Sequence, residues 1–367
     1  MFVSSRLVAA RKRRGVTITA LSVDSGISTK SISDYENGKK SPTTDTVKIL
    51  ASALRVRPDY FSRPTLNEVP VDAVSFRAPT KMTARSRDMA ISISSHAIEL
   101  RKWIEARYRT PQVNVPTLDR YLGVAGAASA AEVVRAKWGL GVAPLGNIVH
   151  LLELHGVAVF TVRGKEGAFD AFSFREGDQQ PYILLSPYKS PERGRFDAAH
   201  ELGHLVLHGG PVCATGVAAE READAFASSF LMPESDVRAV VRPNLSVPEI
   251  LKIKKRWNVS AMATAYRLHD LGLLTDWLYH TTCVNLSRMG YRSGEPDGMR
   301  ERESSSLLLQ VMADIRSSRR GFVELCEDLG VEPHDVNDLV FNLAPISVQG
   351  DAQTTPGAKP ALRLVDS

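Results

Sequence analysis

His200-Glu201-Leu202-Gly203-His204 places two imidazoles four residues apart, with a carboxylate beside the first, inside a run over 195–208 that reads as helix. Residues i and i+4 leave one face of a helix, so both rings can reach a common point. That spacing suits the first two nitrogen ligands of a zinc ion, and Glu201, one residue round, can serve as general base toward the water at such an ion. The bare pentapeptide also occurs without metal, so the weight falls on the next helical run, 220–233. A catalytic zinc keeps three protein ligands and one open position, and a carboxylate from a second helix is a common third donor. Glu220 is expected to be that ligand, and Asp224, one turn on, to orient a ligating histidine from behind. Glu222 projects about 200° away from Glu220 and stands as the fallback ligand. His208, a further i+4 step, reads as core or support, because a fourth ligand would close the open position.

These residues need a frame. Helical patterns over 127–138 and 145–155 precede short β-rich runs at 157–162, 168–175 and 181–185, which predict a small antiparallel sheet feeding the histidine helix. A sheet edge beside the cleft would hold an extended peptide by backbone pairing. Helices are expected over 234–241, 247–256 and 260–274. In the last of these, Tyr266 or His269 can donate to an oxyanion, although an ordinary amphipathic helix is the favoured reading of both. Runs over 304–318 and 320–342 form a C-terminal helical piece; it can dimerise the chain into a homodimer, pack on the preceding domain or bind a partner, and the sequence does not choose.

The length of 367 residues suggests two or three domains. At 43% hydrophobic and 24% charged, with no apolar run long enough to span a bilayer and no leader-like start, the chain reads as a cytoplasmic protein with no membrane partner. Cys213, Cys283 and Cys326 are too few and too scattered for a disulfide framework or a thiolate zinc site. The net charge of +5 is uneven: residues 1–63 carry 12 Lys or Arg against 5 Asp or Glu, so only this piece has a polyanion-binding balance.

Within it, helices are expected over 3–14, from Thr17, over 29–37 behind the cap Ser28, and over 44–54, with Gly15, Gly26 and Gly38 as stops. This rhythm resembles an Xre/Cro-type helix-turn-helix module over residues 5–62. The resemblance implies binding to double-stranded DNA, with Ser28, Thr29, Lys30, Ser33 and Asp34 presented to the major groove and Lys39 and Lys40 to phosphates. Ile18 departs from the family, which usually has a DNA-contacting Gln there.

Further on, the order of helix, short sheet, Phe196-Asp197-Ala198-Ala199-His200-Glu201-Leu202-Gly203-His204, acidic helix and Phe230-Leu231-Met232-Pro233 resembles the ImmA/IrrE metallopeptidases over about residues 130–275. That resemblance implies a gluzincin-like fold binding Zn2+ through His200, His204 and Glu220, with Glu201 as catalytic acid/base. It also implies a protein substrate that is itself a transcriptional regulator, cleaved in a stress or mobile-element response. The fold class expected is α+β and mostly helical. The domains expected are a helix-turn-helix domain over 1–63, a linker and connecting helix over 64–126, a peptidase domain over 127–276, a C-terminal helical region over 277–348 and a disordered tail over 349–367. The competing expectation is a DNA-binding regulator whose peptidase-like domain senses a ligand or binds a partner, in the manner of an antitoxin, with little turnover.

Overall fold

The computed structural model describes residues 1–67, 69–70, 74–76 (backbone), 83–121, 123–163, 170–177, 180–209, 216–318 and 321–344. The expected tail over 349–367, the start of the expected strand at 168 and Cys213 lie outside these residues. Four strands, β1 (Val74–Phe76), β2 (Ala158–Thr161), β3 (Phe172–Glu176) and β4 (Gln180–Leu185), form one sheet in the order β1-β3-β4-β2. The pairs β1–β3 and β3–β4 are antiparallel, as expected of the sheet, but β2 and β4 run parallel. The reason is topological. The β3–β4 hairpin reverses the chain, and β4 then lies against β2, which runs the same way. Turn residues mark where strands end, not which strands become neighbours.

Both faces of the sheet are buried, and the two-residue period of the strands sorts their side chains between two cores. Phe160, Phe172, Phe174, Tyr182 and Leu184 enter the first core; Val159, Ile183 and Leu185 enter the second. Into the first core come α1 (Ser4–Arg13), α2 (Ile18–Ser25), α3 (Thr29–Glu36), α4 (Thr44–Leu54), α5 (Ala84–Glu105), and, from the far end of the chain, α14 (Ser306–Ser317), α15 (Gly321–Leu329) and α16 (Pro333–Leu339). Around the second core lie α6 (Gly123–Lys137), α7 (Ile148–Leu154), α8 (Pro191–Leu207), α9 (Val217–Leu231), α10 (Glu234–Val240), α11 (Val247–Ile253) and α12 (Ala261–Asp270). Then α13 (Asp276–Arg288) packs on α12, a helix the periodicity did not reveal. The expected run over 320–342 is divided into α15 and α16, because Gly330 takes a left-handed φ of 68° and Pro333 opens the next helix.

Local chemistry starts the amino-terminal helices where the cap residues lie. Thr17, Ser28 and Thr43 accept hydrogen bonds from the amides of Ala20, Ser31 and Thr46 at 3.1, 3.1 and 3.3 Å. The C-terminal helices fasten onto this unit. Val56 bridges Val331, and Asp335 of α16 receives Arg14, the residue that ends α1, at 2.6 Å. Among the described residues, no helix is long and apolar enough to cross a membrane.

Candidate metal centre

Ser190 caps α8 and Pro191 occupies its first turn, fixing the phase from which His200 and His204 project. Their Nε2 atoms stand 3.1 Å apart, and both rings are buried. The third group arrives from α9: Glu220 brings one oxygen to 3.5 Å from His200 Nε2 and the other to 3.4 Å from His204 Nε2. One donor atom from each of the three residues lies within 4.8 Å of the other two. Close approach of the two helices depends on Gly203, where a Cβ would stand 3.1 Å from Phe226 Cδ1 and 3.3 Å from the Ala223 Cα. A side chain at 203 would press α9, and Glu220 with it, away from the histidines.

Behind the donors lies a second ring of contacts. His200 Nδ1 is 2.8 Å from Asp224 Oδ1, the partner expected of Asp224. His204 Nδ1 is 3.0 Å from His208 Nδ1, and His208 Nε2 is 2.9 Å from Glu222 Oε2. With a carboxylate at its end, this relay is satisfied when His208 donates to Glu222 and His204 donates to His208. Nδ1 of His200 and of His204 then carries the proton, and Nε2 of each keeps its lone pair for the common point, the state a divalent ion requires. Glu222, the fallback ligand, is therefore engaged elsewhere; its other oxygen accepts from the Gly123 amide at 2.8 Å. Two nitrogens and a carboxylate oxygen form a donor set suited to zinc.

The electrostatics follow from burial. Desolvation pushes the His204 imidazole down to about 4, partly opposed by Glu220, so it is neutral near pH 7 and free to coordinate. Burial would raise the Glu220 carboxyl, but its hydrogen bonds to His200 and His204 and their charges outweigh this and hold it far below the ordinary range. Glu201 is buried, and desolvation pushes its carboxyl up to about 7 against the opposing influence of His200 and Ser173. Ser173 Oγ donates to Glu201 Oε2 at 2.7 Å. The sequence reading missed Ser173. Its signal was a lone hydroxyl between Phe172 and Phe174, a polar residue on the strand face toward α8.

Of the two oxyanion candidates, His269 is taken up between α12 and α13, bonded to Asp276 at 2.8 Å and stacked on Tyr279 with ring centres 4.4 Å apart. Tyr266 is 48% exposed; burial, then the charges of Asp270 and Asp224, raise its hydroxyl pKa.

In the amino-terminal domain, Ser28, Thr29, Lys30, Lys39 and Lys40 are exposed, while Ser33 and Asp34 are half-buried. Ser28 caps α3, and Lys40 lies 3.4 Å from Asp34. Much of the local positive excess is spent inside the chain: Arg6 pairs with Glu99, Arg11 with Glu36, Lys12 with Asp88, and Arg13 and Arg14 with Asp335. The charge count of residues 1–63 thus overstates what is left for a polyanion.

Residues 152–269 match the peptidase family described as the IrrE N-terminal-like domain, a span that contains the three donors, Glu201 and the groups behind them. Residues 7–61 match the helix-turn-helix family, from α1 to the turn after α4. No curated protein matches the chain. With the convergence of His200, His204 and Glu220 on one point, these two matches identify the chain as carrying an ImmA/IrrE-type peptidase-like domain joined to an Xre-type helix-turn-helix domain.

Proposed function

We propose that the chain is a cytoplasmic zinc-dependent endopeptidase that binds double-stranded DNA and cleaves a transcriptional regulator. The observation that carries the reading is the buried Glu201 carboxyl next to a three-donor cluster whose histidines are both braced from behind. His200, His204 and Glu220 would hold zinc, which supplies a Lewis acid that polarises a carbonyl and acidifies water. Glu201 takes the proton of the attacking water on its carboxylate and passes it to the leaving amine. Ser173 holds that carboxylate in place through Oε2. Tyr266, exposed near Asp224, is the side chain we assign to the developing oxyanion. Ser28, Thr29, Lys30, Ser33, Asp34, Lys39 and Lys40 form the DNA face, with Lys30, Lys39 and Lys40 as its exposed cations.

The test compares the parent with Glu201→Gln, each loaded with zinc and incubated with a library of unstructured peptides read by mass spectrometry. The parent should cut, and the variant should retain its zinc and not cut. Equal product from both, or a parent that binds no zinc, removes the reading. One observation favours the regulator with little turnover: the helix-turn-helix helices share a core with one face of the sheet whose other face packs on the peptidase helices, so the two domains are joined through that core. Zinc-dependent DNA affinity without any cleavage would select that alternative.

A further inference from the structure

Strand β1 comes from the segment between the two matched domains, and it is the edge strand beside β3, the strand that touches the candidate general base through Ser173. Val74, Ser75 and Phe76 pair antiparallel with Phe174, Ser173 and Phe172. Ser173 is the residue whose hydroxyl holds Glu201, so residue 75 is the register partner of the strand position that touches the site. The other edge of β3 is bonded to β4. An extended peptide reaching this strand by backbone pairing therefore has one edge to use, and the chain already lies on it.

We propose that Val74–Phe76 is an internal occupant of the peptide-binding edge, which must leave β3 before an extended, unfolded segment of a protein substrate can pair there. The inference rests on the peptidase reading for its consequence and on strand pairing for its geometry. Three observations set β1 apart from a permanent strand. It is three residues long, so it adds few cross-strand pairs. It reaches the sheet from far earlier in the chain, whereas β2, β3 and β4 follow one another directly. It also lies outside both matched segments, 7–61 and 152–269. Upstream, Asn67 Nδ2 donates to Glu176 Oε1 at 2.5 Å, so the segment leaving the helix-turn-helix unit is tied to the far end of β3. A shift of the DNA-binding unit would then bear on the strand that fills the edge.

The experiment uses the full chain carrying Glu201→Gln, so that peptide stays intact, and a fluorescein-labelled peptide with the sequence of residues 70–80. Amides alternate in direction along a strand, so replacing both Val74 and Ser75 by proline removes one that faces β3. Anisotropy should show the labelled peptide binding about tenfold or more tighter to Val74→Pro/Ser75→Pro than to the chain with an intact β1, because a competitor that fills the seat lowers apparent affinity by the fraction of empty seats. Deuterium exchange should rise at the 172–174 amides in that variant. Val74→Gly/Phe76→Gly, which keeps the amides and weakens the strand, carries the same expectation if the proline variant fails to fold. Affinities equal within about twofold, or no binding to any of the chains, overturn the proposal. Zinc-loaded chains with Glu201 intact separate the two readings. Altered binding without cleavage leaves the strand proposal standing and removes the peptidase, whereas cleavage with unaltered binding does the reverse.

Discussion

Ser173 Oγ donates to Glu201 Oε2 at 2.7 Å, joining the sheet to the helix that carries both candidate metal-ligating histidines. The bond favours the charged carboxylate, opposing the burial that pushes Glu201 up to about 7. Ser173→Ala should raise this pKa further, so that less carboxylate is present at neutral pH. A bound cation lowers it in parent and variant alike. The acid limb of a kcat/KM profile should therefore move to higher pH in the variant, with little change on the alkaline plateau. An acid limb in the same place would show that the hydroxyl does not act on Glu201.

The groups behind the donors should tune metal affinity in graded fashion. Asp224→Asn and His208→Ala each remove the partner of a ligating imidazole, for which losses of about 10- to 100-fold in affinity are typical. Glu220→Gln removes a donor itself and should cost more than either. Competition with a chromophoric chelator gives the order, and a Glu220→Gln protein that binds zinc like the parent would exclude that carboxylate.

Asp335 is only 2% exposed and faces Arg13 at 3.3 Å and Arg14 at 2.6 Å. Burial would raise its carboxyl, but the charge of Arg13, then the hydrogen bond and charge of Arg14, bring it down to about 2. Its folded pKa lies below the ordinary value of about 4. The contribution to stability is therefore complete above that value and is lost as pH falls toward about 2. Asp335→Asn should lower the unfolding free energy at pH 7 by about 2 kcal/mol and flatten the acid limb of stability against pH. Urea melts at a series of pH values measure both.

On the DNA side, exposure separates cations that look alike in sequence. Lys39→Ala should weaken binding to random duplex and reduce the slope of log K against log salt by about one. Arg11 already forms a bidentate pair with Glu36 at 2.6 and 2.9 Å, so Arg11→Ala should act on the thermal midpoint instead. Equal salt slopes for the two variants would contradict this division.

Much of the chain was legible because its signals are local. The 3.6-residue period alone puts His200 and His204 on one face and Glu220 with Asp224 on another, and caps such as Ser28 and stops such as Gly26 mark helices within a few residues of where they lie. What the folded chain decided are the relations between residues far apart in sequence. The strand neighbours follow from a hairpin turning back onto β2, and a turn residue holds no information about that. Glu222 looked like a spare ligand until packing set it against His208, and Ser173 looked like a strand residue until β3 met α8. The basic excess of residues 1–63 reads as a polyanion site while the chain is a string of charges. It shrinks once Glu99, Asp88 and Asp335 fold against it, because ion pairing depends on distance in space and composition records none.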